Sequence, residues 1–172
     1  MLRPFTISAD PQKNLKKDIH IVKRLLTAAL ALSFISSAHA APDGAALYAA
    51  KCAMCHQADG RGIPAQYPPL AGRVATIASN DQGRAYLGHV LINGMTGMLR
   101  INNATYVGYM PSFRALTDAD IAAVLTHVAS LGATGNKATI DADTVHAART
   151  PPLSPTAVST ERRGLVAAGI VP

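Results

Sequence analysis

The chain has 172 residues, 49% of them hydrophobic and 15% charged, with 16 Lys and Arg against 10 Asp and Glu. That length suits one ordinary domain with additions. Six of the basic and two of the acidic residues fall in positions 1–40, so the remainder carries ten and eight, a net of about +2; this excludes a strongly basic nucleic-acid binder.

At the N-terminus, Leu25 to Ser37 is apolar, follows Lys23-Arg24 and leads into Ala38-His39-Ala40. Basic, then apolar, then A-x-A is the order of a secretory signal peptide. A bilayer core needs roughly 20 apolar residues, more than this stretch offers, so cleavage after about Ala40 is expected rather than a retained anchor. The destination is then the periplasm or an equivalent oxidising compartment, with no transmembrane segment after cleavage. The residues before Lys23 are long and polar for such a signal, which suggests initiation nearer Val22. The organisation read from this is a leader over 1–40, a domain over 41–133 and a C-terminal extension over 134–172.

Asp43 is a plausible N-cap for a first helix from Gly44 to about Ala53, with Leu47 and Ala50 inward and Tyr48 beside them. The Gly and Pro density from Gly60 to Gly72 rules out regular structure and implies a long, shaped loop. A second helix is predicted over about Asp81 to Ile92 on the stripe Leu87, Val90 and Leu91, ended by Gly94 and Gly97. Asn102-Asn103, between Leu99-Arg100-Ile101 and Ala104-Thr105-Tyr106, predicts a small hairpin, because Asn tolerates the left-handed backbone of tight turns. Thr117-Asp118-Ala119-Asp120 resembles a capping box with Asp in place of Glu. The helix it opens has Ile121, Val124, Leu125 and Val128 on one face and ends at Leu131-Gly132. Beyond Gly132 the hydrophobic rhythm fades. The extension is read as irregular, with only weak helical signals near Asp143 to Arg149 and Pro155 to Arg163.

Cys52-Ala53-Met54-Cys55-His56 is the C-x-x-C-H pattern of covalent c-type haem attachment. Two intervening residues space the thiols to meet the two vinyl groups of one haem, and the next residue offers an imidazole to the iron. These are the chain's only two cysteines, so a Cys-rich zinc site would lack ligands. A thioredoxin-like pair would require a βαβ pattern, which is not seen around it, and a plain disulfide would leave His56 unexplained. A low-spin haem also needs a second axial ligand. Met54 sits inside the attachment loop, and Met95 and Met98 read as core gap-fillers. Met110, stiffened by Pro111, is the candidate, so His56 and Met110 are the expected iron ligands. His89, His127 and His146 are rival ligands of lower standing, given surface or hydrogen-bonding roles. After the leader the aromatics are Phe113 and five tyrosines, with no Trp; a large flat cofactor would fill that deficit of core bulk.

With GAALYAAKCAMCHQADGRG, YPPLAG and YMPSFRALTDADIAAVLTHVASLG, the chain resembles class I cytochrome c over about Asp43 to Gly132. The resemblance implies a mainly α fold around one covalent haem c, with first and last helices crossing closely at Gly44 and Tyr48 packed on the last helix. It implies that the Pro68 carbonyl accepts the Nδ1-H of His56 and that Leu70 lines the haem pocket. Arg73, Tyr86 and Tyr106 are candidate propionate or pocket contacts. The sequence departs from the pattern at His127, where an aromatic residue is common, and in the extension. The implied role is an electron carrier and not an enzyme, either free or as the cytochrome subunit of a dehydrogenase or oxidase complex. Its partners would be a dehydrogenase donor and an oxidase or cytochrome acceptor. The alternative is a haem enzyme or small-ligand sensor whose distal methionine dissociates.

Overall fold

The computed structural model describes residues 41–135 and 138–172; the leader and its cleavage site lie outside the described residues. Helix α1 (Gly44–Lys51) starts where the Asp43 carboxylate accepts from the backbone N–H groups of Ala45 and Ala46, filling two donors that a helix start leaves open. It stops at Cys52, and a short α2 (Ala53–His56) follows. The inner face differs slightly from the expected one: Tyr48 is buried and Leu47 half-buried, whereas Ala50 is exposed.

Helix α3 (Arg73–Ala78) was not foreseen, since its six residues are too few to show a period. Asn80 caps α4 (Asp81–Asn93), whose predicted stripe of Leu87, Val90 and Leu91 is buried. Strands β1 (Met95–Ile101) and β2 (Ala104–Met110) pair antiparallel in the register Ile101 to Ala104 through Met95 to Met110. Asn102 and Asn103 hold φ of 49° and 62° at the turn, as a two-residue hairpin requires. The hairpin is longer than its sequence signal, taking in both Gly97 and Met110. Of the two methionines expected in the core, Met95 is buried but Met98 is 68% exposed, because alternate residues of a strand face opposite ways.

Thr117 opens α5 (Asp118–Ser130) with a complete capping box in which Asp120 does what Glu usually does. Its stripe Ile121, Val124, Leu125 and Val128 is buried. α1 crosses α5 at Gly44, where a Cβ would stand 2.1 Å from the Ala123 carbonyl oxygen; only glycine permits that approach.

Past Gly132 the chain is not irregular. Helices α6 (Ala142–Ala147) and α7 (Pro155–Ala167) form there, capped by Asp141 and Ser154. Val145 and Val158 are fully buried, and Ile140, Ala148 and Val171 nearly so. The sequence signal is weak because each helix contributes only one or two anchors, too few for a visible period. α7 lies against α4 and β1, held by Ser159 Oγ donating to the Thr96 carbonyl at 2.5 Å and by Glu161 against His89 Nδ1 at 2.9 Å. Among the described residues no helix is long and apolar enough to cross a membrane.

Candidate functional site

The loop after α2 is built to bring a carbonyl back to His56. The Gly62 N–H donates to the His56 carbonyl at 2.9 Å, Ile63 N–H to the Tyr67 carbonyl at 2.8 Å, and Leu70 N–H to the Gly60 carbonyl at 2.7 Å. Gly62 has φ +67°, and a Cβ there would lie 2.3 Å from the Tyr67 carbonyl oxygen and 2.7 Å from that of Pro68. The loop therefore folds tightly over the imidazole, and the Pro68 carbonyl comes to 3.0 Å from His56 Nδ1. A carbonyl can only accept, so Nδ1 carries the proton and Nε2 keeps its lone pair free. Burial lowers the pKa of His56, with the Pro68 bond opposing it; the ring is held neutral, the form that binds a metal.

Cys52 and Cys55 are both free thiols and half-buried. Burial raises the Cys52 thiol first, and the neighbouring Cys55 adds to it. Beside them Tyr48 donates its hydroxyl to the Gln57 carbonyl at 2.6 Å, and burial pushes its pKa up to about 12. Its ring also meets His127 of α5, so an imidazole occupies the place where an aromatic residue was expected.

Met110 ends β2 and is fixed by its surroundings. A Cβ on Gly94 would stand 2.5 Å from the Met110 carbonyl oxygen. The segment that follows is tied to the end of α4 by Ser112 Oγ to the Ile92 carbonyl at 2.6 Å and by Phe113 N–H to the Leu91 carbonyl at 2.7 Å.

These elements border one cleft of about 480 Å³. Cys52, Cys55, His56, Pro68 and Met110 all line it, together with Tyr67, Met95, Leu99 and Tyr106, which the sequence did not single out as a set. Tyr106 was already a candidate pocket contact, and only the hairpin register could have nominated Met95 and Leu99. Leu70 instead lines a smaller adjoining hollow of about 100 Å³ that shares His56, Pro68 and Met110 with the cleft; Arg73 and Tyr86 are there too. The other histidines among the described residues lie apart from both: His89 pairs with Glu161, His146 with Asp118 at 3.0 Å, and the His127 ring lies tilted against Tyr48. Met54 is 86% exposed on the outside of α2.

Two thiols and a metal-ready imidazole on one helical turn, facing a largely apolar cleft with a thioether on its border, suit a covalently held haem and no common alternative. The residues fit the group: vinyl carbons need the thiols, the iron needs neutral nitrogen and soft sulfur. Residues 41–132 match the family model for cytochrome c, and the chain belongs to that family of haem-bearing electron carriers. It is 42% identical over 148 residues to a "Cytochrome c-552" of Thermus thermophilus, covering 84% of this chain and 98% of that one. A second Thermus thermophilus "Cytochrome c-552" is 42% identical over 127 residues, 72% of this chain and 96% of the other. The "Fructose dehydrogenase cytochrome subunit" of Gluconobacter japonicus is 36% identical over 115 residues, 62% of this chain but only 22% of that longer protein. The chain thus carries one covalent haem c and serves electron transfer.

Proposed function

We propose that the protein is a periplasmic single-haem cytochrome that passes single electrons by outer-sphere transfer. Residues 1–40 act as a leader removed after about Ala40, residues 41–133 form the cytochrome domain, and residues 134–172 are its extension. Cys52 and Cys55 would tether the haem, His56 and Met110 would ligate its iron, Pro68 would orient the His56 ring and Leu70 would line the pocket from the adjoining hollow. The haem supplies an iron that alternates between ferrous and ferric states. The observation that carries this reading is that Cys52, Cys55, His56 and Met110, from two separate parts of the chain, border the same cleft.

With His56 and Met110 both engaged, no coordination site is left for a substrate, which favours a carrier over an enzyme or sensor. The chain then acts by holding two ligands of fixed identity in a largely apolar setting, which raises the potential relative to bis-His ligation and limits reorganisation. Redox partners meet the protein through a small, transient patch, and the modest charge of the exported part gives little long-range steering. The naming of one relative as a dehydrogenase subunit supports a place in such a complex as well as a free carrier.

Mass spectrometry of the exported protein from a host with haem-ligation machinery tests the tether: one added haem is expected, and none in Cys52→Ala/Cys55→Ala. Carbon monoxide added to the ferrous protein tests the closed site. An unchanged spectrum is expected, and ready binding would overturn the carrier reading in favour of a ligand-binding haem.

A further inference from the structure

Among the described residues, the buried side-chain polar atom left without a hydrogen-bond partner is Nη2 of Arg162, on the inner face of α7 and only 7% exposed. A guanidinium is always charged, and burying it with an unfilled N–H is among the least favourable arrangements in a protein interior. Nothing on its own helix relieves it: the carboxylate of Glu161 is turned to His89 Nδ1, with its oxygens at 3.0 and 2.9 Å. Nor is α7 free to roll Arg162 outward, since Val158 is fully buried and Ser159 is bonded to the Thr96 carbonyl.

Arg162 lines the smaller hollow beside the cleft, in company with Arg73, Tyr86, Met95, His56 and Met110. No residue lining that hollow is acidic. Arg73 of α3 reaches the main-chain oxygen of Pro172. Burial and then the charge of Arg162 lower its pKa, so the two guanidiniums sense each other. The other titratable groups near them are the phenols of Tyr86 and Tyr106, the already paired Glu161, and His56, which lines the same hollow. Two cations, one with an empty donor, thus share an apolar hollow that adjoins the proximal wall of the cleft.

We propose that Arg162, with Arg73 beside it, is an anion site that receives a propionate carboxylate of the haem, so that the C-terminal extension forms part of the cofactor's cradle. The proposal rests on the haem reading above. A guanidinium presents two parallel N–H donors matched to a carboxylate, and the anion relieves both the unfilled Nη2 and the repulsion between the two arginines. It also gives α7 a reason to pack where it does: the helix closes the hollow and adds a second cation to that of Arg73.

The test uses the haem-loaded protein, its mass verified for one haem in wild type, Arg162→Gln and Arg162→Lys. The iron midpoint potential is followed from about pH 4 to 8, the range across which a free carboxyl completes its ionisation. In wild type a shallow profile is expected, because the paired carboxylate stays ionised and only the second propionate titrates. In Arg162→Gln the potential is expected to be lower near neutrality, where a nearby cation has been lost. Towards acid it should climb more steeply than in wild type, as the released propionate takes up a proton. Arg162→Lys should recover the shallow wild-type profile. A haem-loaded Arg162→Gln protein with the wild-type potential and profile overturns the propionate site alone. Wild-type protein isolated without haem overturns the haem reading itself. A measurement independent of any variant is carbon-13 NMR of labelled propionate carboxyls in the wild type: one should resist titration over this range, and two ordinary titrations overturn the proposal.

Discussion

Gly44 and Ala123 meet so closely that a Cβ on the former would lie 2.1 Å from the carbonyl oxygen of the latter and 3.2 Å from the Cβ of His127. The crossing of α1 and α5 is therefore set by backbone against backbone, and it fixes where Cys52 emerges at the end of α1. A methyl group at position 44 must push the helices apart. Gly44→Ala is expected to lower stability by roughly 1–3 kcal/mol, the usual range for overpacking, read from denaturant unfolding of the haem-loaded protein. An unchanged midpoint would mean the crossing adjusts freely.

Met110 is held from three sides, by its pairing with Met95, by Gly94 and by the Ser112 and Phe113 bonds to the end of α4. Removing its sulfur should open the distal position while leaving the thioether tethers intact. Met110→Ala is expected to retain haem, to bind carbon monoxide when ferrous and to show a lower potential, because thioether ligation favours the ferrous state. Retention of the wild-type spectrum in this variant would assign the distal ligand elsewhere.

Val158 is fully buried where α7 meets the body, so the extension carries part of the core. Val158→Ala is expected to cost about 2 kcal/mol, as removal of buried methyl groups does, in a single cooperative transition. If the extension instead unfolded separately, the main transition would not move.

Acid should loosen the junction between α5 and α6. The Asp118 carboxylate is held below its usual range by the Arg149 guanidinium first and by His146 second. Its folded pKa is thus below the unfolded value of about 3.9. The resulting stability is present above that value and disappears as pH falls through the folded one. Asp118→Asn is expected to reduce the loss of stability between about pH 4 and 2 relative to wild type, measured by urea unfolding; parallel pH curves would show that the pair contributes nothing.

The C-x-x-C-H turn was legible because its pattern is local: Cys52, Cys55 and His56 stand at fixed spacing within one turn. Helix α5 was legible because a capping box and a four-residue apolar stripe are both short-range signals, and the hairpin because Asn102-Asn103 can take φ values that most residues avoid. The Pro68 carbonyl was found only through a family resemblance, since a main-chain acceptor leaves no mark in the side-chain alphabet.

What the sequence by itself determined is the C-x-x-C-H turn, the main helical frame and the turn of the hairpin, all consequences of spacing and periodicity between near neighbours. Tertiary structure decided what depends on distant partners. It exposed Ala50 and Met98, gathered Met95, Leu99 and Tyr106 around one cleft, and folded the low-signal extension onto α4 and β1. It also left one arginine of that extension buried beside the pocket. Arg162 looks in sequence like one of two adjacent basic residues, and only the packing of α7 turns it inward while Arg163 stays exposed.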